Sequence, residues 1–310
     1  MSTLDFSTKI GSKRFSNPIF TASGCASSGQ ELSQFFPLTE LGAIVTKSIM
    51  TKSRTGRLTP RMAETPSGML NSIGLQGPGI DAFLENDIPW LVEQKAKIIV
   101  SIAGETVDEY GVLSRRLRAV SGISAVEVNI SCPNVENRGQ VFACHPDTSV
   151  AVIEAVRRNI GGELPIIAKL SPDVTDIVEI AAAVINAGVD GLALINTLLG
   201  MVIDTNSMRP KLAGKTGGLS GPAIRPVAVR AIYQVHQAFP NTPIVGMGGV
   251  ASGRDAFELI LAGASAVSIG TASFGNPNAA MLVKSQLSDL LIARGFNDFR
   301  DAIGFAHRGL

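Results

Sequence analysis

The sequence predicts an α/β chain folded as a (β/α)8 barrel, a TIM barrel with an N-terminal β-ribbon and long active-site loops. Three observations carry this. Eight short apolar segments rich in Val and Ile recur along the chain, and amphipathic helical patterns lie between most of them. Strands alternating with helices imply a parallel sheet with right-handed crossovers. Eight units in 310 residues, with no linker or low-complexity segment between them, imply closure into one domain over residues 1–310.

The elements follow in order. Leu4 to Phe20 reads as a two-stranded ribbon turning near Gly11-Ser12, the kind of element that closes the bottom of a barrel. The strand candidates are Pro18–Ala22, Ala43–Lys47, Ile98–Ile102, Ala125–Ile130, Ile166–Leu170, Gly191–Ile195, Ile244–Met247 and Ala266–Ile269. The helix candidates are Val107–Val120, Ser149–Ile160, Val174–Ala187, Pro222–Ala238, Gly253–Leu261 and Asn278–Ala293. Two connections exceed what a barrel needs: Ser48 to about Ile80, and Thr197 to about Ser220. Both follow strand C-termini, where barrel active sites lie, and long ordered loops are usually functional.

Composition excludes several classes. The net charge is +1, with no dense Lys/Arg block, which argues against nucleic acid or an anionic membrane as partner. No apolar run is long enough to span a bilayer, and Met1 opens on a polar, strand-like segment rather than a signal peptide. The three cysteines, Cys25, Cys132 and Cys144, show no pairing pattern; reduced thiols in a cytoplasmic protein are the simpler reading. No His/Cys/Asp spacing forms a metal site, and no serine sits in a nucleophile elbow.

Glycines mark a phosphate end. Gly246-Met-Gly248-Gly249-Val250 closes the seventh strand and Ser268-Ile-Gly270-Thr271-Ala272 the eighth, the two loops with which barrels bind phosphate through backbone N–H groups. Gly217-Gly-Leu-Ser-Gly221 offers a third set of donors. The blander reading is that all three are tight turns.

Cations and a thiol mark the chemistry. Lys47 and Lys169 end apolar strands, so their ammonium groups point at the barrel mouth, as charges facing an anionic ligand or as Schiff-base nucleophiles. The alternative for either is a lysine snorkelling to solvent. The stretch Glu127-Val-Asn129-Ile-Ser-Cys132-Pro-Asn134-Val-Glu-Asn137 runs from a buried strand into a Pro-started loop and offers a thiol between two amides. Asn71 and Asn196 add amides at other strand ends or loops. Asn suits strands poorly, so four at one rim imply a ligand rich in donors and acceptors; singly, each is a turn former. Cys25 and Cys144 read as small buried hydrophobes.

On these residues the chain resembles the class 1 dihydroorotate dehydrogenases, flavin-mononucleotide (FMN) enzymes of pyrimidine synthesis. The segments that carry the likeness are Ala22-Ser-Gly-Cys25, Glu64-Thr-Pro-Ser-Gly-Met-Leu-Asn-Ser-Ile-Gly-Leu75, Asn129-Ile-Ser-Cys-Pro-Asn134, Ile195-Asn-Thr-Leu198, Thr216-Gly-Gly-Leu-Ser-Gly-Pro222 and Gly246-Met-Gly-Gly249. The resemblance implies Cys132 as general base for dihydroorotate oxidation. It implies Lys47, Asn71, Ser72, Ile73, Gly74, Leu75, Asn129, Asn134, Asn196 and Thr197 around the substrate. Around FMN it implies Ser23, Lys47, Ser48, Asn129, Lys169, Ile195 and Gly221, with Gly248, Gly249, Gly270 and Thr271 at the phosphate. Cys132 would take the C5 proton while the flavin takes the hydride from C6, and Lys169 would stabilise the reduced flavin's negative charge.

Ala63-Glu-Thr, Ile73-Gly-Leu-Gln76 and Thr216-Gly-Gly-Leu-Ser-Gly221 resemble class 1B catalytic subunits in particular. Those work with a second subunit carrying FAD and a [2Fe–2S] cluster and pass electrons to NAD; class 1A homodimers use fumarate. The chain lacks the clustered cysteines of an Fe–S site, so any cluster belongs to a partner. The family also implies a homodimer. Many relatives carry a flavin-touching Asn where this chain has Ser101, which puts that contact in question. Competing readings are a tRNA-dihydrouridine synthase, against which the missing basic patch counts, a Schiff-base aldolase using Lys169, and a non-catalytic flavin scaffold.

Overall fold

A computed structural model of the chain describes residues 4–130 and 142–309. Eight parallel strands form one sheet: β1 (Ile19–Thr21), β2 (Ile44–Val45), β3 (Ile98–Ile102), β4 (Ile123–Asn129), β5 (Ile166–Lys169), β6 (Gly191–Leu194), β7 (Ile244–Met247) and β8 (Ala266–Ile269). Neighbours pair in the order β1-β8-β7-β6-β5-β4-β3-β2. A parallel bridge between Phe20 and Ala43 brings β1 back to β2 and closes the barrel.

Every residue of β3, β4, β5, β6, β7 and β8 is buried, because one face packs on the outer helices and the other fills the barrel. That is why these strands read as continuous apolar runs. Helices Val107–Arg118, Pro146–Ile160, Ile177–Asn186, Arg225–Ala238, Gly253–Ala262 and Ala279–Ala293 follow β3 to β8 in turn. Their starts are chemically marked: Thr106 accepts from the Glu109 N–H, and Ser252 and Asp255 form a reciprocal capping box.

The expected ribbon is present as Thr8–Ile10 paired with Lys13–Phe15, turning at Gly11 with φ +54°. Ile10 and Phe15 are fully buried and pack with Phe20, Val45, Ile99, Ala125 and Ile167 inside the barrel. The ribbon is therefore a plug at the barrel bottom, as its position in the sequence implies.

Three features differ from the sequence reading. The first unit has only short 3-10 turns, Leu32–Gln34 and Leu38–Glu40, in place of a helix. The second has a helical stretch from Ile80 to Glu93, interrupted by a π-type turn at Phe83–Asp87, that the sequence did not announce. Most consequential, the two long connections are not merely loops. They contribute Met62–Thr65 and Gly68–Asn71 from one and Leu198–Met201 and Thr216–Ser220 from the other, which assemble into a four-stranded antiparallel sheet over the barrel mouth. Among the described residues no helix is long and apolar enough to cross a membrane.

Candidate active site

Alternation along each strand sets the floor of the site. Residues two apart share a face, so Ile99 and Ser101, Ala125, Glu127 and Asn129, and Ile167 and Lys169 line the same inner wall. The lower members are apolar and pack around the ribbon. The upper members change to polar and charged groups at the C-terminal mouth.

Between this floor and the antiparallel sheet lie two adjoining cavities of about 620 and 330 Å³. Lys169, Ile195, Gly221, Gly248, Gly249 and Gly270 line the larger. Lys47, Ser48, Asn71, Ile73, Gly74, Leu75 and Asn129 line the smaller. Ser23, Asn196, Thr197 and Thr271 line both, so the two spaces meet there. Gly248, Gly249 and Gly270 of the expected phosphate end thus border only the larger compartment and Asn71, Ile73, Gly74, Leu75 and Asn129 only the smaller, while Asn196, Thr197 and Thr271 are shared. Cys132 and Asn134 lie outside the described residues.

A hydrogen-bonded chain runs beneath the compartments. Lys169 Nζ donates to Ser23 Oγ at 3.0 Å and lies 3.7 Å from Glu127 Oε1. Both charged side chains are almost completely buried, so their mutual charge compensation is what permits either there. Ser101 Oγ donates to Glu127 Oε1 at 2.9 Å and lies 2.9 Å from Ser48 Oγ. Asn129 Nδ2 donates to Ser48 Oγ at 3.0 Å, Asn196 Nδ2 to Asn129 Oδ1 at 3.3 Å, and the Thr197 N–H to Asn196 Oδ1 at 2.8 Å. The Tyr110 hydroxyl donates to the Asn129 carbonyl at 2.8 Å and fixes the end of β4.

Four readings change here. Ser101 is fully buried and lines neither cavity; its hydroxyl serves Ser48 and Glu127. Ser72 is likewise buried and lines neither cavity, because its side chain turns toward Gly214, where a Cβ would come within 2.5 Å of the Ser72 hydroxyl. Gly217 and Gly218 belong to the antiparallel sheet. A Cβ on Gly218 would fall 2.0 Å from Thr197 Oγ1 and one on Gly217 2.6 Å from the Asn71 carbonyl oxygen, so these glycines serve close packing, and only Gly221 of the trio borders the large cavity. Cys25 is not a bystander: it lines both cavities. Burial pushes its thiol pKa up, against the opposing pull of Lys169 and Lys47. Glu127, a carboxylate within an otherwise apolar strand, has no assigned role in the sequence reading, and the structure buries it beside Lys169 and Ser101.

Whether these residues suit a flavin phosphate and ring can be tested on the structure. Gly221, Gly248 and Gly249 border the large cavity with φ of +93°, +128° and +75°, and a Cβ on Gly249 would lie 2.8 Å from the Gly221 carbonyl oxygen. Bare backbone of this kind lets phosphate oxygens reach amides. Thr271 adds a hydroxyl, held by Ser220 at 2.7 Å. On the same cavity wall the Ser268 hydroxyl is buried with no hydrogen-bond partner among the described residues, which leaves it for a bound group. Lys169 supplies the cation. The donor set fits FMN.

The comparisons with known proteins agree with this geometry. A family model described as dihydroorotate dehydrogenase matches residues 5–291. A protein of Desulforudis audaxviator is 51% identical over 292 residues, covering 94% of each chain, and one of Desulforamulus reducens is 49% identical over 304 residues, covering 98% of this chain and 99% of its own. A third, from Geotalea daltonii, is 47% identical over 304 residues, with the same coverage. All three are named dihydroorotate dehydrogenase B (NAD(+)), catalytic subunit. With a two-compartment mouth built on a closed parallel barrel, and near-complete coverage by these relatives, the chain belongs to the dihydroorotate dehydrogenase family of oxidoreductases, on the side of its class 1B catalytic subunits.

Proposed function

We propose that this chain oxidises dihydroorotate to orotate in pyrimidine synthesis, with FMN as resident cofactor and Cys132 as general base. The observation that carries the reading is the division of the mouth into a large glycine-bordered compartment with Lys169 and a small amide-lined one with Lys47. Bound FMN supplies the hydride acceptor. The protein supplies pose and field. Asn71, Asn129 and Asn196 orient a flat, acceptor-rich ring by hydrogen bonds that a wrong ring would leave unmade. Lys47 faces the ring's carboxylate. Lys169, held by Ser23 and Glu127, is preorganised to stabilise negative charge developing in the large compartment.

In the sequence Cys132 stands three residues after Asn129, which lines the small compartment. A thiol there takes the C5 proton, acting best as thiolate. Its ordinary pKa is about 8.5, so the rate of flavin reduction rises with pH toward that value. Asn134, in the same segment, completes the amide set.

The relatives' names carry NAD(+) and the words catalytic subunit. We accordingly assign the electrons to NAD through a partner subunit bearing FAD and a [2Fe–2S] cluster, with fumarate as the alternative acceptor. Anaerobic addition of dihydroorotate to the flavin-loaded chain tests the whole reading: the yellow colour bleaches if it is right and persists if it is wrong. Cys132→Ser keeps the colour, bleaches at least tenfold more slowly, and has its pH profile displaced upward; bleaching at the wild-type rate excludes Cys132 as the base. Reoxidation by NAD only in the presence of the partner subunit, rather than by fumarate, fixes the acceptor.

A further inference from the structure

We infer that Glu127 is a positioning residue that sets the donor–acceptor polarity of the substrate compartment and the field at the cofactor compartment through one hydrogen-bonded chain. The inference rests on the function proposed above and extends it to a residue that touches neither ligand space.

The argument starts from what a carboxylate can do. Ionised, it accepts hydrogen bonds and donates none. Glu127, only 2% exposed, accepts from Ser101 Oγ. With its hydrogen spent, Ser101 can only accept from Ser48, which stands 2.9 Å away. Ser48 has then spent its own hydrogen and accepts from Asn129 Nδ2. That sets the amide: Asn129 must turn its oxygen the other way, where it accepts from Asn196 Nδ2. Asn196 in turn presents its oxygen to the Thr197 N–H. Each donor in the series points toward Glu127. Flipping either amide would set donor against donor at one step of the chain.

The two amides belong to the compartment where the ring is to be recognised, and Asn196 and Thr197 also border the large one. A single carboxylate below both spaces thereby dictates which ends of Asn129 and Asn196 face their neighbours. The same carboxylate lies 3.7 Å from Lys169 Nζ and offsets its charge. Neutralising Glu127 has two separable effects. The field around Lys169 becomes more positive, which favours a cofactor that gains negative charge on reduction. The chain also loses its fixed direction, because Gln can donate as well as accept.

The experiment compares the flavin-loaded full-length wild type with Glu127→Gln and Ser101→Ala. The readouts are the reduction potential of the bound flavin, by dye equilibration, and the orotate dissociation constant, by flavin absorbance. In Glu127→Gln the potential rises and orotate binds about tenfold more weakly, the scale of one charge-assisted hydrogen bond. Ser101→Ala keeps the carboxylate and cuts the chain; its potential stays at the wild-type value while orotate binding weakens severalfold. A wild-type potential in Glu127→Gln overturns the field role, and unchanged orotate binding in Ser101→Ala overturns the relay. If Glu127→Gln does not fold, Ser101→Ala decides the relay alone. A wild type that is not bleached by dihydroorotate overturns the underlying function and this inference with it; a bleachable wild type with two indifferent variants overturns only the inference.

Discussion

Gly249 shows how much of this site depends on the lack of a side chain. Its φ of +75° is strained for an L residue, and a Cβ there would meet the Gly221 carbonyl oxygen at 2.8 Å and Arg225 Cβ at 2.9 Å. Gly249→Ala must therefore push the β7 loop away from Gly221, across the corner of the cavity assigned to phosphate. FMN affinity falls by about tenfold or more, since strain of this type costs about 1–3 kcal/mol. Fluorescence titration of the apoprotein with FMN measures it, and an unchanged affinity would place the phosphate elsewhere. Cys25 shows a different residue-scale lesson. A small thiol between Ser-Gly and Ala reads as packing material, yet its position after β1 puts it where both compartments meet.

At the scale of elements, the antiparallel sheet does two jobs. Its inner side closes the mouth through Met69, Asn71 and Ser220. Farther out, Leu199 and Met201 are about half exposed, as is Ile203 on the adjoining strand Ile203–Asp204, and Met208, in the turn toward Arg209–Pro210, is 81% exposed. Large apolar side chains exposed together on neighbouring strands suit a subunit contact. We assign this face to the homodimer that the family resemblance implies. If the wild type sediments as a dimer, Met201→Lys combined with Ile203→Asp converts it to monomer in analytical ultracentrifugation while the barrel stays folded by circular dichroism; a monomeric wild type, or a double variant that sediments as a dimeric wild type does, rules out this face.

The whole molecule carries a pH dependence far from the mouth. His236, on the helix Arg225–Ala238, packs against Gly263 and Gly304, and His307 from the C-terminal segment stacks on Tyr233 at 3.9 Å and lies 5.0 Å from His236. Burial first, and the His307 charge second, hold the His236 pKa below its ordinary value of 6.5. A depressed pKa means that the unfolded chain binds the proton more readily. The stabilisation is complete above about pH 6.5 and is lost as pH falls through the lower folded value. Thermal melts from pH 8 to pH 5 should show declining stability, with a flatter decline in His236→Asn. Equal slopes would shift the effect to other groups.

The order of the strands, the helices that follow β3 to β8 and the ribbon at the barrel bottom were legible in the sequence, because each rests on local chemistry. Buried parallel strands are apolar on both faces, helices alternate by turns of 3.6 residues, and glycine and proline mark the junctions. The glycine loops, Lys47, Lys169 and the four asparagines could be proposed because barrel sites lie at strand ends and the loops after them; the other site residues came from the family resemblance, and Cys132 and Asn134 lie outside the described residues. Tertiary structure alone decided what depends on partners distant in sequence. The segments Met62–Asn71 and Leu198–Ser220 carry no clear strand pattern; each folds back on itself as an antiparallel pair, and the pairing of Gly68–Asn71 with Thr216–Ser220 joins the two into one sheet. Ser72 sits among predicted ligand residues yet turns away, since Gly214 in a remote loop leaves space for it. Glu127 has no assigned role in the sequence reading; its setting emerges only when Lys169, Ser101 and Ser48 come together from three other barrel strands or their ends. A buried charge is tolerable only beside its complement, and that complement is a fact of three-dimensional packing, not of neighbours along the chain.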